Sequence, residues 1–130
     1  MNQNSSVILG FVENLMFSTR VDSVAEHLGF EMYWMDQKLA MSEEKTLVDR
    51  ISQLTPALIL IDLGMGGISW GSVIWQIKSN SSIQHIPVIC FGSHKDTDTL
   101  KDARQSGADE VLARSRFFSD IQKYIEKYLG

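Results

Sequence analysis

Residues 57–61 are five apolar side chains in a row, and they run straight into one carboxylate, Asp62, and a glycine-rich turn, Gly64-Met-Gly-Gly67. The run is too short for a stable buried helix and β-branched enough for a strand. A continuous apolar stretch of this length suits a strand covered on both faces, as in a parallel sheet. Asp62 then stands at the strand's carboxyl end, where open α/β sheets gather ligands and chemistry. The same residue would also serve simply to begin a turn. On this stretch alone both readings stand.

The remainder of the chain alternates in the same sense. Residues 7–12 read as a first buried strand, with Glu13 at its exit. Over residues 14–28 the spacing of Phe17, Val21, Val24, Ala25 and Leu28 predicts a helix, stopped by Gly29. Residues 30–35 give a short second strand, in which Trp34 is read as packing, and 36–41 a connector. Ser42 is a candidate cap for a helix with Glu43 and Glu44 in its first turn and Leu47, Val48, Ile51 and Leu54 on its apolar face. Thr55-Pro56 ends it. After Asp62 come a helix marked by Trp70, Val73, Ile74 and Ile77 with Ser69 as candidate cap, and a strand over 87–91. A weakly apolar helix over 96–106 follows, facing inward through Leu100 and Ala103 and stopped by Gly107. A strand over 110–113 and a last amphipathic helix carrying Ile121, Tyr124, Ile125 and Tyr128 complete the pattern. Five strands and five helices in alternation imply a parallel sheet with helices on both faces.

Bulk properties narrow the function classes. At 130 residues one domain, spanning 1–130, can bury a core without staples, with residues 1–6 expected to fray. A net charge of -4 argues against a general nucleic-acid binder. Cys90 is the single cysteine; inside an apolar run it reads as an inert core thiol in a reducing compartment. No signal peptide is visible, and no apolar run nears the roughly 18 residues that span a bilayer. A cytoplasmic protein, away from membrane and nucleic acid, is expected. His27, His85 and His94 are too scattered for a metal cluster, and the glycine turn lacks the spacing of a phosphate-cradling loop.

In such a fold the strand ends bring Glu13, Asp62, Gly92, Ser93 and Arg114 to one edge. Two carboxylates there would suit Mg2+, which takes one or two carboxylates and several waters. The ordering, and the phrases Pro56-Ala-Leu-Ile-Leu-Ile-Asp62-Leu, His85-Ile-Pro87-Val-Ile and Ser106-Gly-Ala-Asp-Glu-Val-Leu112, resemble the receiver domain of two-component response regulators across nearly the whole chain. The resemblance implies a flavodoxin-like three-layer sandwich with strand order 2-1-3-4-5. It makes Asp62 the position that accepts a phosphoryl group from a histidine kinase, with Glu13 and Asp62 as metal positions.

Several of the positions that assist such an acceptor differ. Receivers usually carry two adjacent acidic residues after the first strand; here they are Val12-Glu13. The Thr or Ser that ends the fourth strand is Gly92, and Ser93, one residue on, would point to the other face. The Lys-Pro pair of the fifth strand is Arg114-Ser115, and Arg is a planar fork where Lys is a compact ammonium. The aromatic switch is Val111, and the proline four residues past the acceptor is Gly66, which predicts a looser loop. Arg114 has two readings: a salt bridge to Asp62 or Glu13, or an anion contact. Trp70 and Trp75, five residues apart, lie on different helix faces, so at least one is expected at the surface.

The resemblance with these losses implies an atypical or pseudo-receiver, a signalling module and not an enzyme, with weakened Mg2+ binding. It would act through contact with a histidine kinase or phosphotransfer protein, a downstream protein, or a second copy. Tyr124 and Tyr128 on the last helix mark the candidate interaction face; alternatively they cover the sheet and only their hydroxyls reach water. Two other functions are set beside it. One is a working phosphoacceptor with Glu13 alone sufficing for the metal; the other is a small-molecule or nucleotide binder using the strand-end cleft.

Overall fold

The computed structural model of the chain describes residues 6–129. The frayed start expected at residues 1–6 lies, except for Ser6, outside the described residues; the Ser6 carbonyl accepts from the Glu31 amide. Five strands, β1 (Val7–Phe11), β2 (Glu31–Trp34), β3 (Leu58–Asp62), β4 (Val88–Gly92) and β5 (Glu110–Ala113), form one parallel sheet in the order β2-β1-β3-β4-β5. The order reverses between β1 and β3, which opens a crevice at the carboxyl ends of those strands.

Seven helices are present among the described residues, where five were expected. They are α1 (Leu15–His27), α2 (Gln37–Ala40), α3 (Glu44–Leu54), α4 (Trp70–Ser79), α5 (Thr97–Gln105), α6 (Arg114–Ser119) and α7 (Ile121–Leu129). The two additions are short. The connector 36–41 coils into α2 because the Asp36 carboxylate caps the Leu39 amide. The chain leaves β5 directly into α6, which Phe117 and Phe118 fasten to the sheet by burying their rings. One cap differs from expectation, and another holds its position without its bond. Glu43 holds the cap position of α3, while the Ser42 hydroxyl donates to the Leu39 carbonyl and so finishes α2 instead. Ser69 holds the cap position of α4, as expected, but makes no side-chain capping bond. Asn14 does cap α1, accepting from the Met16 and Phe17 amides.

Strand alternation divides the core in two. Leu9, Phe11, Ile59, Ile61, Val88 and Cys90 face one layer with Ile51, Ile74 and Leu100 of α3, α4 and α5. Ile8, Leu58, Leu60, Ile89 and Phe91 face the other, with Val21 and Ala25 of α1, Phe117 and Phe118 of α6, and Ile125 of α7. Both layers close over β1, β3 and β4, whose side chains are buried almost throughout, as the apolar runs required. Thr55, between α3 and Pro56, adopts a left-handed conformation with φ 43°. Gly29 and Gly107 have positive φ where the expected helix stops fall.

Period two then fixes the site. Asp62 follows Leu58 and Leu60 in facing α1 and α6, and its register partner across the ladder is Phe91. Gly92 falls on the opposite side, towards α5, where a Cβ would meet Leu63 and Leu100.

Candidate functional site

Among the described residues Asp62 is the one buried charged side chain, about 5% exposed. Its Oδ1 accepts two hydrogen bonds, from the Gly64 amide at 2.8 Å and from Arg114 Nη2 at 2.9 Å. Of the two partners weighed for Arg114, the structure selects Asp62. The first bond is a turn that the carboxylate makes with its own chain two residues on. The second crosses from the first turn of α6 and is an ion pair whose carboxylate is nearly sealed from water and whose guanidinium is about one quarter exposed. Charge-assisted bonds of this kind are the strong ones, and burial keeps salt from screening them. Oδ2 accepts no hydrogen bond from the described residues.

Three features hold the arginine there. Its guanidinium lies over the Phe17 ring, 5.3 Å from the centroid, as a cation–π contact. Gly64 leaves the space it enters, since a Cβ there would come within 2.7 Å of Nη2. The side chain itself starts at α6, so the short helix sets its direction. Arg114 Nε is buried without a partner, so the fold does not use all of the fork.

The loop beyond Asp62 is tied down rather than loose. Gln37 of α2 donates to the Gly66 carbonyl at 2.7 Å, Trp70 Nε1 donates to the Met65 carbonyl at 3.3 Å, and Leu63 and Met65 are buried. Gly66, where the receiver resemblance would place a proline, is thus tethered from across the crevice. α2 was invisible to the sequence reading, and the tether with it.

The expected edge assembles only in part. Gly92 and Ser93 share a narrow cleft with Gly64 and Arg114, beside Asp62. The Gly92 position carries no hydroxyl, and the Leu63 and Leu100 side chains crowd the side where one would stand. Ser93 is exposed, and its Oγ accepts from the Lys95 amide in the loop that leads to α5. Glu13 does not join them. It is exposed and opens on another groove, with Asp36, Lys38 and Met65, and makes no hydrogen bond or ion pair among the described residues.

That arrangement fits a divalent cation poorly. Mg2+ wants near-octahedral oxygen ligands and holds them through carboxylates. Here one Asp62 oxygen already carries two donors, Val12 offers only methyl groups, and no cluster of three or more metal-ligating side chains occurs among the described residues.

Tyr124 and Tyr128 are half-buried against the other end of the α6–α7 layer. Arg116 Nε donates to the Tyr124 hydroxyl at 2.9 Å, and the Tyr128 hydroxyl donates to Glu110 Oε1 at 2.7 Å. Of the two tryptophans, Trp70 is buried and Trp75 is 59% exposed. What the sequence reading missed is the aromatic support of the site. Phe17 was visible only as part of a helix face, and nothing local announces that Phe118, about a hundred positions away in the chain, stacks on it.

An open five-stranded parallel sheet of order β2-β1-β3-β4-β5 with a carboxylate at the end of its central strand defines a receiver-type α/β module. The model of the response regulator receiver domain family matches residues 22–126, and the chain belongs to that family. Solved structures with the same fold include the receiver domain of a Pseudomonas aeruginosa sensor histidine kinase, with a magnesium ion coordinated in its active-site cleft. That domain is 16% identical with a TM-score of 0.74, covering 97% of this chain and 98% of the other. The phosphorylated cyanobacterial phytochrome response regulator RcpA is likewise 16% identical, TM-score 0.74, over 97% and 95%. A response regulator in its Mn(2+)-bound form is 18% identical, TM-score 0.69, over 95% and 94%. No curated protein matches the sequence.

Proposed function

We propose that this receiver domain works as an atypical, pseudo-receiver module that signals through protein–protein contact, with Asp62 held in an internal ion pair instead of cycling as a conventional phosphorylation switch. The observation that carries this reading is the buried Asp62–Arg114 pair. A cation fixed on the carboxylate takes the place a metal would need and neutralises the charge that attracts it. The losses at Val12 and Gly92 act in the same direction. Without a hydroxyl at Gly92, a phosphoryl group on Asp62 would lack a contact that differs between two states, and a modification without differential contacts shifts no equilibrium. Partners would be a histidine kinase or phosphotransfer protein, or a downstream protein docking on the face that includes Tyr124 and Tyr128. Metal binding, where it occurs, would be weak.

Beryllofluoride with Mg2+, followed by amide NMR, tests the reading. Small, non-saturating changes near Asp62 are expected. Strong stoichiometric changes that spread from Asp62 into α5 would overturn it.

One observation favours the second reading, a working phosphoacceptor. Asp62 Oδ2 carries no hydrogen bond from the described residues, so a lone pair remains for attack on phosphorus. On that reading, kinase-dependent labelling occurs and disappears in Asp62→Ala; absence of labelling by any histidine kinase counts against it.

A further inference from the structure

The sheet has two edges, β5 and β2, each four residues long, and they are guarded differently. At β5 the Glu110 carboxylate is held by Lys127 and Tyr128 of α7. β2 is hydrogen-bonded to β1 alone, and Met32, Tyr33 and Trp34 bring it no charge and no proline to blunt the edge. The Glu31 and Met35 amides donate to the Ser6 and Gly10 carbonyls. Alternate residues therefore face β1, and Met32 and Trp34 turn their N–H and C=O groups outward. Those four groups have no hydrogen-bond partner among the described residues. We propose that this edge is a dimerisation surface, on which β2 of a second copy pairs antiparallel and joins two five-stranded sheets into one of ten strands.

The free groups dictate the register. The Phe30 amide is spent on the Ala25 carbonyl, and Asp36 begins α2 as its cap, so the open edge is confined to Met32 and Trp34. A two-fold axis through Tyr33 sets Met32 of each copy opposite Trp34 of the other, and every outward group then meets a partner across the axis. Moving the axis to Met32 or to Trp34 halves the number of bonds. The charges agree with the axis at Tyr33. Glu31 falls opposite Met35 and Asp36 opposite Phe30, so no like charges face each other although the chain carries -4. Side chains agree as well. Met32 and Trp34 belong to the α1 side of the sheet, where each thioether would meet an indole of the other copy, and the two Tyr33 rings meet on the α3 side. Opposite residues of an antiparallel pair point to one face, so each helix layer stays on its own side of the joined sheet. A strand from an unrelated protein would satisfy the main-chain groups but not this pairing of side chains. One patch serves both copies, as a two-fold contact requires. It lies at the opposite edge of the sheet from Tyr124 and Tyr128 and does not depend on the state of Asp62.

So small a contact belongs to the weak class of interfaces. Sedimentation velocity of the whole chain between about 1 µM and about 1 mM should pass from monomer to dimer. Over the same range, hydrogen exchange at the Met32 and Trp34 amides should slow severalfold. Cross-linking reads the register. Across the axis two Tyr33 Cα atoms would lie about 4.5 Å apart, within reach of a disulfide, so Tyr33→Cys should link the dimer under catalysed air oxidation. Glu31→Cys should not, because its two thiols would stand about 13 Å apart; Cys90 is buried and does not interfere. Met32→Pro removes an outward N–H without touching the ladder to β1 and should stay monomeric at every concentration. Should it fail to fold, Tyr33→Lys, which sets two ammonium groups opposite each other, takes its place. A chain still monomeric at about 1 mM overturns the proposal and leaves the edge to a strand of another protein. A dimer that Glu31→Cys links as readily as Tyr33→Cys, or that persists in the folded Met32→Pro or Tyr33→Lys variant, lies elsewhere on the molecule and overturns it too.

Discussion

The Asp62–Arg114 pair is asymmetric, and the asymmetry predicts which half can be removed. Asp62 is sealed inside the strand end, whereas Arg114 is partly wet and rests on Phe17. Arg114→Ala therefore leaves a buried carboxylate with only the Gly64 amide for company. Removing one partner of a fully buried pair costs about 3–5 kcal/mol. The partial exposure of the guanidinium reduces this, so a loss of about 1–3 kcal/mol is expected. Asp62→Asn keeps an acceptor for Gly64 and leaves the arginine able to turn to water, and should cost less. Urea unfolding of both variants checks the order. An Asp62→Asn that is the more damaging would mean the arginine, not the carboxylate, is the strained partner. At this scale the sequence named both residues and left the pairing open, because proximity across 52 positions is a property of the sheet and not of either neighbourhood.

Among the elements, β1 and β2 show how one glycine positions an edge strand. A Cβ at Gly10 would come within 2.6 Å of the Trp34 ring and 3.2 Å of the Met32 methyl, so the indole lies against the bare backbone of β1. Trp34 Nε1 then donates to Asp22 of α1 at 2.8 Å and ties the edge strand to the helix layer. Gly10→Ala should push the indole outward and cost about 1–3 kcal/mol by overpacking, with a red-shifted tryptophan emission as the second readout. Unchanged stability would mean the ring has another place to go.

The far edge is held by charge. Burial raises the Glu110 carboxyl, but hydrogen bonds from Lys127 and Tyr128, with the charges of Lys127 and Arg116, outweigh it and keep the group below its ordinary value. A carboxylate with a depressed folded pKa contributes stability that is complete above its unfolded pKa and is lost as pH falls through the folded one. The link between β5 and α7 should therefore weaken in acid, below about pH 4. Glu110→Gln should flatten the stability–pH curve in that window and leave the curve between pH 6 and 8 parallel to the parent. An identical acid limb in the variant would remove Glu110 from the account. The long helices were legible because 3.6-residue periodicity survives in any context. α2 and α6 were not, because helices of four and six residues show no such period; a carboxylate cap and two core-directed rings hold them.

At the level of the whole molecule, alternation made the parallel sheet with helices on both faces readable, and the strand order came from the resemblance to receivers. The state of the site was not readable, because it depends on three separated elements meeting at one carboxylate. The apolar runs that made the sheet legible also make one residue a gauge of the entire fold. Cys90 lies in β4 between β3 and β5, fully buried, and burial followed by the charge of Asp109 pushes its thiol far above the usual range. Thiol exchange needs the thiolate and access to it. Exposing Sγ requires α4 and α5 to leave the sheet, which removes the core on that face at once. Local fraying at the edges, at β2 or α7, does not reach it. Labelling of Cys90 by an aromatic disulfide should be negligible in the native protein and reach one equivalent in urea. Its midpoint should coincide with the loss of helical circular dichroism, as a cooperative single unit requires. Labelling that runs ahead of the helical transition would reveal a layer that opens by itself. The α4–α5 side would then be a separate unit of stability from the α1, α6 and α7 layer that carries Arg114.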